Sequence, residues 1–322
     1  MKLSRQEVTQ RFGTVWTGSG AAGWSGEGYW FQHFIPGSSF AGATLVAKTL
    51  TLRERPGNME LTDTYAPRFP FPDCIWVDFK RGIALNSVGL SGPGLARFLE
   101  TKRLQQVLRP LFISLMPVDG EPETHEEQLQ WCAEVLCRAR DGFISRNTGI
   151  QLNVSCPNVG ADLAEVTKKA TSYLDILAIT EMPIIVKLNL LVSPEAAATI
   201  AEHPACSGLC MGNSLPFGEL PDRIDWKGLF PNGSPLDRHD YGKGGLSGAL
   251  LLPLVAEWVE SFRKSDTSTH VNVGGGILHK KDVRRLANTG ADSISIASVG
   301  MLRPWRVEGI IREAKGTFHS GY

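Results

Sequence analysis

No stretch of this chain is long and apolar enough to span a bilayer. The most apolar run, around residues 249–255, is broken by Pro253. The N-terminus, from Met1 to Val8, is polar and has no signal-peptide core, so no membrane association is expected. An excess of charge is also missing. Lys plus Arg is 33 and Asp plus Glu is 33, with no long basic run, which argues against a nucleic-acid partner. The six cysteines (74, 132, 137, 156, 206, 210) form no CxxC and no disulfide-rich spacing, which fits a reduced, cytoplasmic protein. Cys132 and Cys137 read as helix packing. Cys206 and Cys210 flank a strand start, with no partner at metal-ligand spacing. The seven histidines form no HxH or HExxH, read as surface or capping residues, and no metal is expected. No dinucleotide fingerprint is read in the chain, so a direct NAD site is not expected. No period of 20–50 residues repeats, which excludes a solenoid.

What is present is alternation. Short apolar, β-branched runs at 14–17, 43–48, 110–115, 149–155, 183–188, 208–213, 270–274 and 293–298 read as eight strands. Amphipathic stretches at 94–107, 121–139, 162–178, 194–202, 250–263 and 280–289 read as helices between them. Near-continuous hydrophobic strands such as 183–188 suit a parallel sheet covered by helices. The pattern predicts α/β architecture, one (β/α)8 TIM barrel spanning 1–322, and 42% apolar residues supply its core. Two insertions, at about 53–88 and 216–244, are rich in Pro and aromatic residues. Both follow strand C-termini, the face on which barrel enzymes build their sites, and loops of this length usually cover or bind.

The most informative segment is Gln151-Leu152-Asn153-Val154-Ser155-Cys156-Pro157-Asn158. It begins as a strand that sends Asn153 and Ser155 to one side, and Pro157 stops it. Two carboxamides and a thiol then face a common space. Carboxamides donate and accept, so they suit a planar imide or amide ligand, and a thiol can move a proton. Taken alone, the segment better suits a buried structural thiol with Asn caps on a turn, which is what most single cysteines are.

Other strand ends extend the set. Gly18-Ser19-Gly20, Gly244–Gly248 with Gly248 before a helix, Gly275-Gly276 and Ala297-Ser298 offer backbone amides to an anion, at the place where barrels hold phosphates. Lys48 and Lys187 sit among apolar neighbours on strands, where an unpaired ammonium is costly. Asn86, Asn153, Asn158 and Asn213 suit a flat hydrogen-bonding heterocycle. A ring cofactor with a phosphate tail accounts for both groups, and FMN is the candidate.

In order and spacing these motifs resemble the dihydroorotate dehydrogenases, from about Gly13 to Pro304. The carriers are the Lys48–Asn58 segment, Asn86–Leu90, Leu152–Asn158, Ile185–Leu188, Asn213-Ser214, Gly244–Gly248 and Gly274–Ile277. The resemblance implies oxidation of dihydroorotate to orotate in pyrimidine (UMP) biosynthesis. Cys156 would be the base and Lys48 would touch both flavin and substrate. Asn86, Asn153, Asn158, Asn213 and Ser214 would bind substrate. FMN would be held by Ser19, Gly20, Lys48, Thr49, Asn153, Lys187, Gly248, Gly275, Gly276, Ala297 and Ser298. It further implies a soluble, cysteine-using (class 1) enzyme, a homodimer, and an acceptor that is either fumarate or NAD⁺ through a separate electron-transfer subunit. Local runs lean toward the latter.

The chain also departs from the family pattern. Residues 59–63 delay the Pro-Arg turn to Pro67-Arg68, Ser114–Pro117 replaces a small pair, and Ala297-Ser298 replaces Gly-Thr. Alternatives are a flavin barrel acting on another dihydropyrimidine or cyclic imide, or a non-catalytic flavin-binding subunit.

Overall fold

The computed structural model describes residues 2–154 and 163–319. Eight parallel strands form the barrel: β1 (Val15–Thr17), β2 (Leu45–Val46), β3 (Leu111–Leu115), β4 (Thr148–Asn153), β5 (Ile184–Leu188), β6 (Cys206–Met211), β7 (His270–Gly274) and β8 (Ser293–Ile296). Each pairs with its neighbours in sequence, and β8 returns to β1 through Val15 opposite Ile294. A parallel bridge between Trp16 and Thr44 joins β1 to the approach of β2 and closes the ring. All eight expected strands are present within a few residues.

The helices follow the same logic. Pro194–Glu202 begins on Ser193, whose hydroxyl accepts from the Ala196 amide, with Pro194 at the first helical position where no N–H is needed. Outward strand residues such as Ile294 and Leu209 pack on helix residues such as Val259 and Leu286 in the main core. An unexpected helix, Arg5–Phe12, precedes the barrel. Ser4 and Glu7 form its capping box, and Val8 and Phe12 are buried. Those two residues join Leu3, Trp16, Val46, Phe112, Ile185 and Cys210 in a second core, within the barrel itself. Phe12 stacks on Phe112 at 4.1 Å between ring centres.

The insertions are more ordered than loops. Ile75–Asp78, Ile83–Asn86, Gly245–Gly248 and Leu215–Pro216 form a four-stranded antiparallel sheet that was not anticipated. It pairs Asn86 with Gly245 and Ile83 with Gly248. The second insertion packs onto the first: Phe230 meets Trp76 at 5.2 Å and Phe217 at 5.4 Å, and Trp226 caps the group. Residues 18–23 do carry G-x-G-x-x-G spacing, contrary to the expectation of no such fingerprint. They run through turns and open no helix, so the spacing alone builds no dinucleotide site.

Candidate active site at the barrel mouth

Above the second core the inward positions of the same strands turn polar. Asn153, at the end of β4, accepts a hydrogen bond from Asn213 Nδ2 at 2.7 Å. Asn153 lies opposite Lys187 of β5, and Lys187 opposite Cys210 of β6. Asn86 ends its hairpin strand with Nδ2 3.4 Å from the Gly245 carbonyl. Gly245 in turn leaves room for Ser214: a Cβ there would fall 2.6 Å from Ser214 Oγ. The antiparallel sheet thus brings Asn86, Ser214 and the Gly244–Gly248 run to one place.

Ser19 and Thr49 also meet. Ser19 Oγ donates to the Ala47 carbonyl at 2.9 Å and lies 2.8 Å from Thr49 Oγ1, which is 3.0 Å from Ser114 Oγ. Lys48 is not on a strand as expected; it stands two residues beyond β2. Its ammonium bonds to the Ser91 carbonyl and lies 4.7 Å over the Trp24 ring. Burial lowers its pKa to about 8, and Coulombic interaction with Cys74 opposes that fall. Beside it, Trp24, Tyr29, Met59, Tyr65 and Pro67 enclose a cavity of ≈ 30 Å³, room for a water or two. The delayed loop after Asn58 therefore closes over Lys48.

The glycine turns form a cradle. Gly248, Gly275 and Gly276 have φ of 108°, 109° and 81°, values that side chains disfavour. A Cβ on Gly276 would lie 2.6 Å from the Gly248 carbonyl. Ser298 opens a short helix, and Ala297 beside it faces Gly18, where an added Cβ would sit 2.6 Å from the Ala297 methyl. Gly18 thus makes room for the methyl that replaces the usual glycine. Cys156 and Asn158, the expected base and one substrate residue, lie outside the described residues. Among the described residues no group of three or more His, Cys, Asp or Glu could hold a metal ion, and no helix is long and apolar enough to cross a membrane.

Several site neighbours were not foreseen. Cys210 donates to Asn272 Oδ1 at 3.2 Å, and Ser295 Oγ bonds to the same oxygen. Asn272 Nδ2 donates to Ser293 Oγ at 2.7 Å, which lies 2.9 Å from His270 Nε2. His270 Nδ1 is 3.3 Å from both the Arg5 carbonyl and Thr9 Oγ1. His270 is fully buried rather than a surface residue, and burial lowers its pKa to about 4. One signal was available: polar residues at 270, 272, 293 and 295 alternate with apolar ones inside two otherwise hydrophobic strands.

A parallel barrel with a carboxamide cluster, buried lysines and a glycine cradle at its strand C-termini has the form of a barrel enzyme. The family model described as dihydroorotate dehydrogenase matches residues 18–317, and the chain belongs to that family. It is an oxidoreductase acting on a CH–CH group. It is similar to the dihydroorotate dehydrogenase B (NAD(+)) catalytic subunit of Staphylococcus carnosus, 30% identical over 243 residues, covering 71% of this chain and 70% of that protein. The protein of the same name from Listeria monocytogenes EGD-e is 28% identical over 239 residues, with the same coverage.

Proposed function

We propose that this protein oxidises dihydroorotate to orotate with bound FMN. The observation that carries the proposal is the Asn153–Asn213 pair beside Lys187, an amide-reading surface next to a buried cation. Ser19, Gly20, Lys48, Thr49, Asn153, Lys187, Gly248, Gly275, Gly276, Ala297 and Ser298 would hold FMN. The fit rests on two features of the chain. The glycine cradle has room only for backbone, and Lys187 makes no hydrogen bond or ion pair among the described residues. When bound, FMN would supply an acceptor for the hydride that leaves C6 of the substrate.

The chain's own residues do the rest. Asn86, Asn153, Asn158, Asn213 and Ser214 orient the ring and carboxylate by donating and accepting hydrogen bonds. Cys156 removes the proton from C5 as a thiolate, and a nearby cation such as Lys48 favours that form. Lys187 places positive charge where negative charge accumulates on reduction. The relatives are named as NAD(+)-linked catalytic subunits. This chain, as a cytoplasmic homodimer serving pyrimidine synthesis, accordingly passes electrons to a separate electron-transfer subunit.

Anaerobic addition of dihydroorotate to the FMN-loaded protein tests the proposal: the yellow colour bleaches and orotate appears in equal amount. A protein that stays yellow with dihydroorotate but bleaches with another dihydropyrimidine or cyclic imide supports the second reading. One observation favours that reading: Arg68, delayed by the longer loop, pairs with Glu60 at 3.3 Å on the exposed surface.

A further inference from the structure

Two polar groups on adjacent strands, buried Gln151 and half-buried Lys187, have unmet hydrogen-bonding capacity of opposite kinds among the described residues. Gln151 is 1% exposed, and its Oε1 has no hydrogen-bond partner among the described residues. Lys187 has no hydrogen-bonding or ion-pairing partner there either; burial lowers its pKa, and only Coulombic interaction with Cys210 opposes that. Gln151 and Asn153 share one face of β4 because side chains alternate along a strand. Asn153 is opposite Lys187, and Gln151 is opposite Ile185. Lys187 is therefore the diagonal neighbour of Gln151 on the inner face, within reach of two long side chains.

Among the described residues, the other neighbours of Lys187 make no hydrogen bond to it. The Cys210 thiol points its proton at Asn272 Oδ1, and burial pushes its pKa up, so it stays neutral. Asn153 Oδ1 already accepts one hydrogen bond, from Asn213. On the far side of Gln151, Ser114 is engaged with Thr49. A buried carbonyl left without a donor costs about 1–3 kcal/mol, and an unpaired buried ammonium costs more. Joining the two removes both penalties.

We propose that Gln151 is a positioning residue for Lys187. Its Oε1 accepts a hydrogen bond from the ammonium, directly or through one bound water, and so aims that charge up at the cofactor. The last step rests on the FMN reading; the pairing itself does not. Below Lys187 the second core presents the apolar side chains of Phe112, Ile185 and Trp16.

Nζ-detected NMR titration of the flavin-free protein tests the pairing, with Lys187 assigned by Lys187→Met. Gln151→Leu raises the neutral-to-charged ratio of Lys187 at fixed pH by about tenfold, the scale of one hydrogen bond to a charge. Gln151→Glu, nearly the same size, moves that ratio the other way, and it decides the matter alone if the leucine variant does not fold. An unchanged Lys187 titration in the folded variants overturns the proposal. In the FMN-loaded protein, Gln151→Leu weakens binding of reduced relative to oxidised FMN by about tenfold, equal to a fall of about 30 mV in the two-electron potential. In a Lys187→Met background the same change has no further effect. A full effect in that background overturns the proposal, because Gln151 would then act without Lys187. A protein that shows the titration shifts but binds no FMN keeps the pairing and fails the flavin reading.

Discussion

The two halves of the barrel interior use the same strands to opposite ends. Two residues apart on β3 stand Phe112 and Ser114, and on β5 Ile185 and Lys187. The lower member of each pair joins Phe12, Trp16 and Val46 in a dry core plugged by the N-terminal helix. The upper member faces the carboxamides and the glycine cradle. The lower half buries apolar area and stabilises the fold. The upper half holds the half-buried Lys187 and the buried Gln151 carbonyl without hydrogen-bond partners among the described residues, a cost that a bound ligand can offset. Rigidity below is what allows poorly satisfied groups above to hold their positions.

That division predicts separable effects. The largest is on stability: Phe112→Ala removes a ring stacked on Phe12 and tilted on Trp16, and costs about 3–5 kcal/mol in chemical denaturation. The fraction that stays folded still binds FMN; loss of binding in that fraction would erase the division. The next belongs to the upper half. Cys156→Ala lowers anaerobic flavin reduction by about a hundredfold or more while FMN content stays constant. Cys156→Ser retains part of the rate, shifted to higher pH. A wild-type rate in the alanine variant would return Cys156 to a structural role.

His270 sits at the foot of the polar chain, stacked on Trp16 at 5.5 Å, and so belongs to both halves. Its pKa in the folded protein, about 4, lies below the unfolded value of about 6.5. Between those values the unfolded chain binds more protons, so stability rises with pH across about 4 to 6.5 and is lost as pH falls through that window. The slope approaches about 1.4 kcal/mol per pH unit. Urea unfolding of the wild type and His270→Gln across that range measures it, and the variant loses that part of the slope. The smallest effect on stability comes from Lys187→Met, which replaces an ammonium without a partner among the described residues by an apolar chain and leaves the thermal midpoint unchanged or slightly higher. Binding of reduced FMN nonetheless weakens. A large fall in the midpoint would mean that Lys187 supports the fold.

Much of this was legible along the chain, and the reasons are local. Strand 183–188 announces itself as a short apolar run, and Pro194 after Ser193 marks a helix start at the residue where it occurs. The helix at Arg5–Phe12 was equally marked, by Ser4 and Glu7, and went unread because its apolar content is low. The cap, not the composition, was the signal. The antiparallel sheet was hidden for a different reason. Its strands are two to four residues long; two form a hairpin over residues 75–86, and the other two come from residues 215–248, more than a hundred residues on, so no window of sequence contains the whole sheet.

By itself the sequence determined the barrel, the order of its motifs and the family, because periodicity and spacing are properties of neighbours along the chain. It also placed Asn153, Asn213, Lys187 and the glycine turns at strand ends, and strand ends of a parallel barrel share one face. Only the tertiary structure decided which of those groups touch. Asn213 meets Asn153 rather than solvent, Lys48 turns to Ser91 and Trp24, Gly18 yields to Ala297, and Gln151 and Lys187 stand as diagonal neighbours without hydrogen-bond partners among the described residues. Contacts across the barrel depend on strand register and on closure of the ring, and both are fixed by packing between residues far apart in sequence.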